Sequence, residues 1–103
     1  MTPFIAEYIG TAVMILLGGG VVANVLLNKT KGNNAGWIVI TTAWALAVFV
    51  GVSIAAPYSG AHLNWAVTIA NFALARMDLS TAVVYIVAQT LGAMTGATMV
   101  WLF

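Results

Sequence analysis

The stretch Ser59-Gly60-Ala61-His62-Leu63-Asn64-Trp65-Ala66-Val67-Thr68 gathers hydrogen-bonding groups in the middle of a chain that has few of them. Their types point to solvation chemistry rather than to the making of bonds. Asn64 suits the cap position of a helix, because its side-chain oxygen accepts from the free backbone N–H groups of the first turn. A helix N-terminus there carries unpaired N–H groups and a partial positive charge of roughly half a unit. Gly60, Ala61, His62 and Leu63 offer carbonyl acceptors just before it, and the Asn64 amide offers donors. A small polar solute losing its water can exchange hydrogen bonds along such a ladder, while the positive helix end opposes cations and protons. The expected passenger is water or a neutral hydroxylated solute.

Other chemistries find little material. No nucleophile–base pair or paired carboxylate stands out, so the chain is not read as an enzyme. Cysteine is absent, which excludes disulfides and thiolate metal sites, and one His with two acidic residues builds no metal centre. No cofactor is expected. A net charge of +1 gives no footprint for nucleic acid.

The groups that would work in this stretch must be positioned by membrane helices. Of 103 residues, 63% are hydrophobic and 5% charged, and the mean hydropathy is +1.07. A small soluble core has no use for so much apolar surface. Three long apolar runs, residues 4–27, 35–56 and 79–103, each suffice to cross a hydrocarbon core of roughly 30 Å. The first has one charge, Glu7. It lacks a basic leader and is too long for a signal peptide, so it is read as a retained span. A polar loop, residues 28–34, joins the first two runs.

The region 57–76 is different. Pro57 is expected to end the second helix, residues 58–63 to run near-extended, and a helix to cover 65–75, about 16 Å or half a bilayer. The geometry is that of a re-entrant hairpin, with the chain turning at the midplane at Asn64. Such backbone is tolerated in a membrane only where protein covers it or water lines it. Arg76 would complement the half-helix dipole, and Asp78 or Ser80 would cap the last long helix. The fold class is therefore all-α, with three transmembrane helices and one re-entrant half-helix. Small residues recur at helical spacing at Ala43, Ala47, Gly51 and Ala55, at Ala88, Gly92 and Gly96, and at Gly10 and Gly18. These stripes read as faces for close helix contact.

The motif 59–68 resembles the first pore motif of the aquaporin and glycerol-facilitator family, Ser-Gly-Ala-His-Leu-Asn-Pro-Ala-Val-Thr, with Trp65 in place of Pro. Ala6-Glu7-Tyr8-Ile9-Gly10-Thr11 resembles the Ala-Glu-Phe-x-Gly-Thr opening of that family's first helix. Val87-Ala88-Gln89-Thr90-Leu91-Gly92-Ala93 resembles its third. Together they span nearly the whole chain. The resemblance implies a multi-pass channel for glycerol-like solutes or water, built from two inverted repeats, of which this chain supplies one. A lone repeat encloses no pore. The expected partners are therefore a second repeat or other copies, the family forming tetramers, besides the solute and the lipid. The alternative is a non-conducting truncated fragment or packing partner.

The resemblance also assigns roles. Glu7 and Gln89 would brace the re-entrant loop. Trp44, 20 residues before Asn64, stands where glycerol facilitators carry an aromatic wall of their constriction. The His62 ring is expected to be satisfied by a neighbour, with its carbonyl on the path. At position 65 the family's two prolines meet at the midplane. An indole there would displace the partner or lean into the path, and overpacking a tight contact costs about 1–3 kcal/mol. The resemblance puts the N-terminus and the re-entrant loop in the cytoplasm. Charge leans the other way by one side chain, Lys29 and Lys31 against Arg76.

Overall fold

A computed structural model describes residues 2–27 and 30–102. Asn28 and Lys29 of the polar loop, and Phe103 at the end of the last run, lie outside the described residues. Four helices follow in chain order: α1 (Pro3–Leu26), α2 (Trp37–Ser59), α3 (Trp65–Ala73) and α4 (Leu79–Leu102). The three long ones are each long and apolar enough to cross a membrane.

Their ends have local causes. Thr2 caps α1 by accepting from the Ile5 N–H at 3.2 Å, and Pro3 takes the first helical position, where a missing N–H costs nothing. The start of α2 shifts to Trp37, behind Gly36 at φ +98°. Asp78 begins α4 by accepting from the Thr81 N–H at 2.8 Å. Hydrogen bonds from Thr81 hold the Asp78 carboxyl below its ordinary range. This cap is therefore complete at neutral pH and is lost only as pH falls through that lowered value.

Pro57 does not end α2, contrary to the sequence expectation. It lies inside the helix, which runs on to Ser59. So near the end the proline removes a single helical hydrogen bond, and membrane helices tolerate that. The stop is Gly60, left-handed at φ +82°, whose N–H still reaches the Ala56 carbonyl at 3.2 Å. The limb before Asn64 is accordingly shorter, and it is not extended. Ala61 and Leu63 are left-handed at φ 55° and 54°. The half-helix is also shorter than expected. It closes after Ala73 in a Schellman turn, with Ala75 at φ 58°, Arg76 N–H on Asn71 O and Ala75 N–H on Phe72 O. Arg76 thus contributes its backbone N–H just past the helix end, and no basic residue stands in the last turn.

Helix α1 is the centre of the packing and contacts both α2 and α4. Small residues make the close approach. A Cβ on Gly51 would stand 2.9 Å from the Gly10 carbonyl, and one on Gly96 would stand 2.5 Å from the Ala12 carbonyl. Gly92 faces the Tyr8 carbonyl in the same way. Ala47, Ala55 and Ala88 complete these faces and are buried. Without a hydrophobic force between helices in lipid, such backbone-to-backbone contact is a main source of association. Thr2, Pro3 and Phe4 border Ser80, Thr81 and Val84, while Ala23 and Leu27 border Val100 and Trp101, so α1 and α4 run parallel. The half-helix packs on α4. Its tip, Asn64, sits beside Thr11, Met14 and Ile15 of α1 and Gln89 and Ala93 of α4, halfway along both. At about 1.5 Å per residue, nine residues return the chain from that level to the α4 N-terminus.

Gly96→Leu is expected to cost about 1–3 kcal/mol, because the obstructing atom is backbone and only helix separation relieves it. Gly20→Ala, where nothing lies within 4 Å, is expected to leave stability unchanged or raised. Thermal unfolding in detergent compares the two.

Candidate functional site

The site is assembled around a carboxylate. Glu7 is fully buried on α1, in the first third of the span. Its Oε1 accepts from the Leu63 N–H at 3.0 Å and from Gln89 Nε2 at 2.8 Å. Its Oε2 accepts from the Ser59 hydroxyl at 2.6 Å and from the His62 N–H at 3.2 Å. These partners come from the end of α2, the limb and α4, and none is a cation. An isolated buried carboxylate is costly, so four donors aimed at one group account for its retention there.

The same donors explain the limb's shape. Left-handed non-glycine residues cost roughly 1–2 kcal/mol each. Ala61 and Leu63 accept that strain because it turns successive N–H groups inward. The Ala61 N–H reaches Ser59 Oγ at 3.2 Å, and those of His62 and Leu63 reach Glu7. The four carbonyls of Gly60, Ala61, His62 and Leu63 accept no hydrogen bond among the described residues. One edge of the limb is saturated and the other is left open.

A second layer fixes the tip. Asn64 caps α3, its Oδ1 accepting from the Ala66 N–H at 2.7 Å. Its amide nitrogen has no partner among the described residues, and the residue is exposed. Gln89 Nε2 also donates to Thr68 Oγ1 at 2.9 Å, and that hydroxyl meets His62 Nδ1 at 3.0 Å. The His62 ring stands edge-on to Tyr85, with centroids 4.8 Å apart, and the Tyr85 hydroxyl donates to the Ser59 carbonyl at 2.8 Å. The ring therefore faces the protein, behind the limb. Trp44 is half-buried, its indole lying over Gly18 of α1. A Cβ on Gly18 would fall 2.5 Å from that ring.

Trp65 follows Asn64 as the first residue of α3. Its indole is turned toward α4, where Nε1 donates to Thr90 Oγ1 at 3.1 Å. Both residues line a hollow of about 400 Å³ together with Thr11, Met14, Asn64 and Gln89.

The structure thus brings Glu7, Gln89, Gly60, Ala61, His62, Leu63 and Asn64 into one assembly, with Trp65 at its edge and Trp44 outside it. Sequence reasoning gave no site role to Ser59, Thr68, Tyr85 or Thr90. A signal for Tyr85 exists, since it lies one turn before Gln89 on the same face of α4. Thr68 closes the quoted motif.

A family model described as MIP, major intrinsic protein, matches residues 1–103. The "Probable glycerol uptake facilitator protein" of Thermotoga maritima is 50% identical over 102 residues, covering 99% of this chain and 44% of that protein. The "Glycerol uptake facilitator protein" of Streptococcus pneumoniae R6 is 48% identical over the same length, with the same coverage. Among solved structures, the aquaglyceroporin from Plasmodium falciparum superposes with a TM-score of 0.83 at 39% identity, over 95% of this chain and 39% of that one. The chain spans less than half the length of these relatives and corresponds to their N-terminal half. It belongs to the major intrinsic protein family, a family of membrane channels rather than enzymes.

Proposed function

We propose that this chain is one half of a passive channel for glycerol-like neutral solutes or water. The observation that carries the reading is the split polarity of the limb. Its N–H edge is consumed by Glu7 and Ser59, while the carbonyls of Gly60, Ala61, His62 and Leu63 have no partner among the described residues. A row of free acceptors ending at the Asn64 amide suits a solute that both donates and accepts. A carboxylate on the path would attract cations; Glu7 is fully buried behind the limb.

In this reading Glu7 and Gln89 brace the loop, and Asn64 and the four carbonyls contact solute. Trp44 forms an aromatic wall at the constriction. The likeness to proteins named glycerol uptake facilitators supports glycerol as a passenger. The protein is multi-pass in the membrane, with the N-terminus and the half-helix base on the cytoplasmic side. The opposite wall of the pore comes from a second half, and protomers assemble as oligomers.

Stopped-flow light scattering on proteoliposomes tests conduction. The expected result is glycerol or water permeability above that of empty liposomes, and permeability no higher than theirs would favour a non-conducting fragment. Glu7→Gln replaces an acceptor oxygen by a donor and leaves at least one buried N–H unpaired. It is expected to cost about 1–3 kcal/mol in detergent unfolding and to abolish any permeation measured for the parent chain.

A further inference from the structure

Trp65 stands at the first position of α3, directly after the Asn64 cap, and half of its surface is exposed. A half-exposed aromatic side chain at a half-helix tip has more than one staggered rotamer open to it. What selects one of them is on α4. The indole N–H can only donate. Thr90 Oγ1 lies 3.1 Å from it, and the Thr90 hydroxyl proton is already committed to the Ile86 carbonyl at 2.8 Å. The threonine oxygen therefore faces the indole with a lone pair, and the two bonds form a chain running from Trp65 through Thr90 into the α4 backbone. Donor and acceptor roles agree at every atom.

We propose that Thr90 is a positioning residue for Trp65. Its hydroxyl holds the indole against α4 and keeps the ring off the free amide edge of Asn64. The bond joins the first residue of the half-helix to α4 at the level of the tip. There it takes over the restraint that a ring-locked φ would give at a first helical position. Further along, Gln89 and Thr68 tie α3 to α4 one turn from the tip, so Trp65–Thr90 is the α3–α4 side-chain hydrogen bond nearer the tip among the described residues. For solute passage, this deepens the channel reading: the ring becomes a fixed apolar wall of the hollow beside Asn64 rather than a mobile plug.

The test is the Trp65 indole signal in the ¹⁵N-tryptophan spectrum of the chain in lipid nanodiscs, assigned by its disappearance in Trp65→Phe. The parent chain and Thr90→Ser, which keeps the hydroxyl, are expected to give one downfield indole N–H with slow exchange. Thr90→Val, isosteric without an acceptor, is expected to move it upfield and speed its exchange about five- to tenfold, the size of one net hydrogen bond. Thr90→Ala carries the same expectation should the valine variant fail to give monodisperse protein. An indole signal unchanged in shift and exchange between the parent and these variants overturns the proposal, as does its loss in Thr90→Ser. A double-mutant cycle between Trp65→Phe and Thr90→Val on thermal stability reads the same coupling, and strict additivity also overturns it. Solute flux enters neither readout. Absence of permeation would leave the Trp65–Thr90 contact standing, and absence of the contact would leave the channel reading standing.

Discussion

The structure depends on one buried acid. Glu7 sits in a membrane helix with no cation among its partners, a placement that is costly unless donors saturate both oxygens. Four donors do so, from three separate parts of the chain. Because the two limb donors are backbone N–H groups, satisfying the carboxylate fixes the limb's dihedral angles as well as its position. That is the physical route from a single Glu in α1 to two left-handed residues more than 50 positions later. The limb could not be buried otherwise, since non-helical backbone inside a bilayer must find its hydrogen bonds in the protein or in a water-lined path.

Packing makes that arrangement possible. The acid reaches α2, the limb and α4 only because α1 lies close to both neighbours. Gly10 against Gly51, and Gly92 and Gly96 against the α1 carbonyls, bring backbones into direct contact. Leu63 fills the resulting seam and is buried beside Ala6 and Ala55. Its side chain packs in the core while its N–H binds Glu7, so the same residue anchors the limb by two independent means. Bulk introduced at the helix crossings would act on the limb through the distance between Glu7 and its donors.

Much of this was legible in the sequence. Three apolar runs, the Asn64 cap and the half-length of the helix after it followed from composition and from spacing against the bilayer thickness. The small-residue stripes mark the crossings, Gly51, Gly92 and Gly96 facing α1 and Gly10 and Gly18 facing α2. What failed was local. Pro57 looked like a stop because proline lacks an N–H, yet near a helix end that loss is a single bond. The left-handed Gly60, directly after Ser59, supplied the real terminus. The limb looked extended because its conformation is set by Glu7, more than 50 residues away, which no local propensity encodes. Tyr85, Thr68 and Thr90 act through side-chain hydrogen bonds between separate segments, which the periodicity of any one helix does not encode. The turn of the Trp65 indole toward α4 likewise depends on a hydroxyl 25 residues away.

At the centre stands the Glu7 carboxylate, holding the limb through the N–H groups of His62 and Leu63. Residue-resolved amide exchange in nanodiscs tests this most directly, comparing the parent chain with Glu7→Gln. The predicted result is slow exchange at His62 and Leu63 in the parent chain and selective acceleration of at least one of them in the variant, which keeps one of the two oxygens, with the Ala66 amide, held by Asn64, unaffected. Equal exchange at His62 and Leu63 in the two proteins would contradict it.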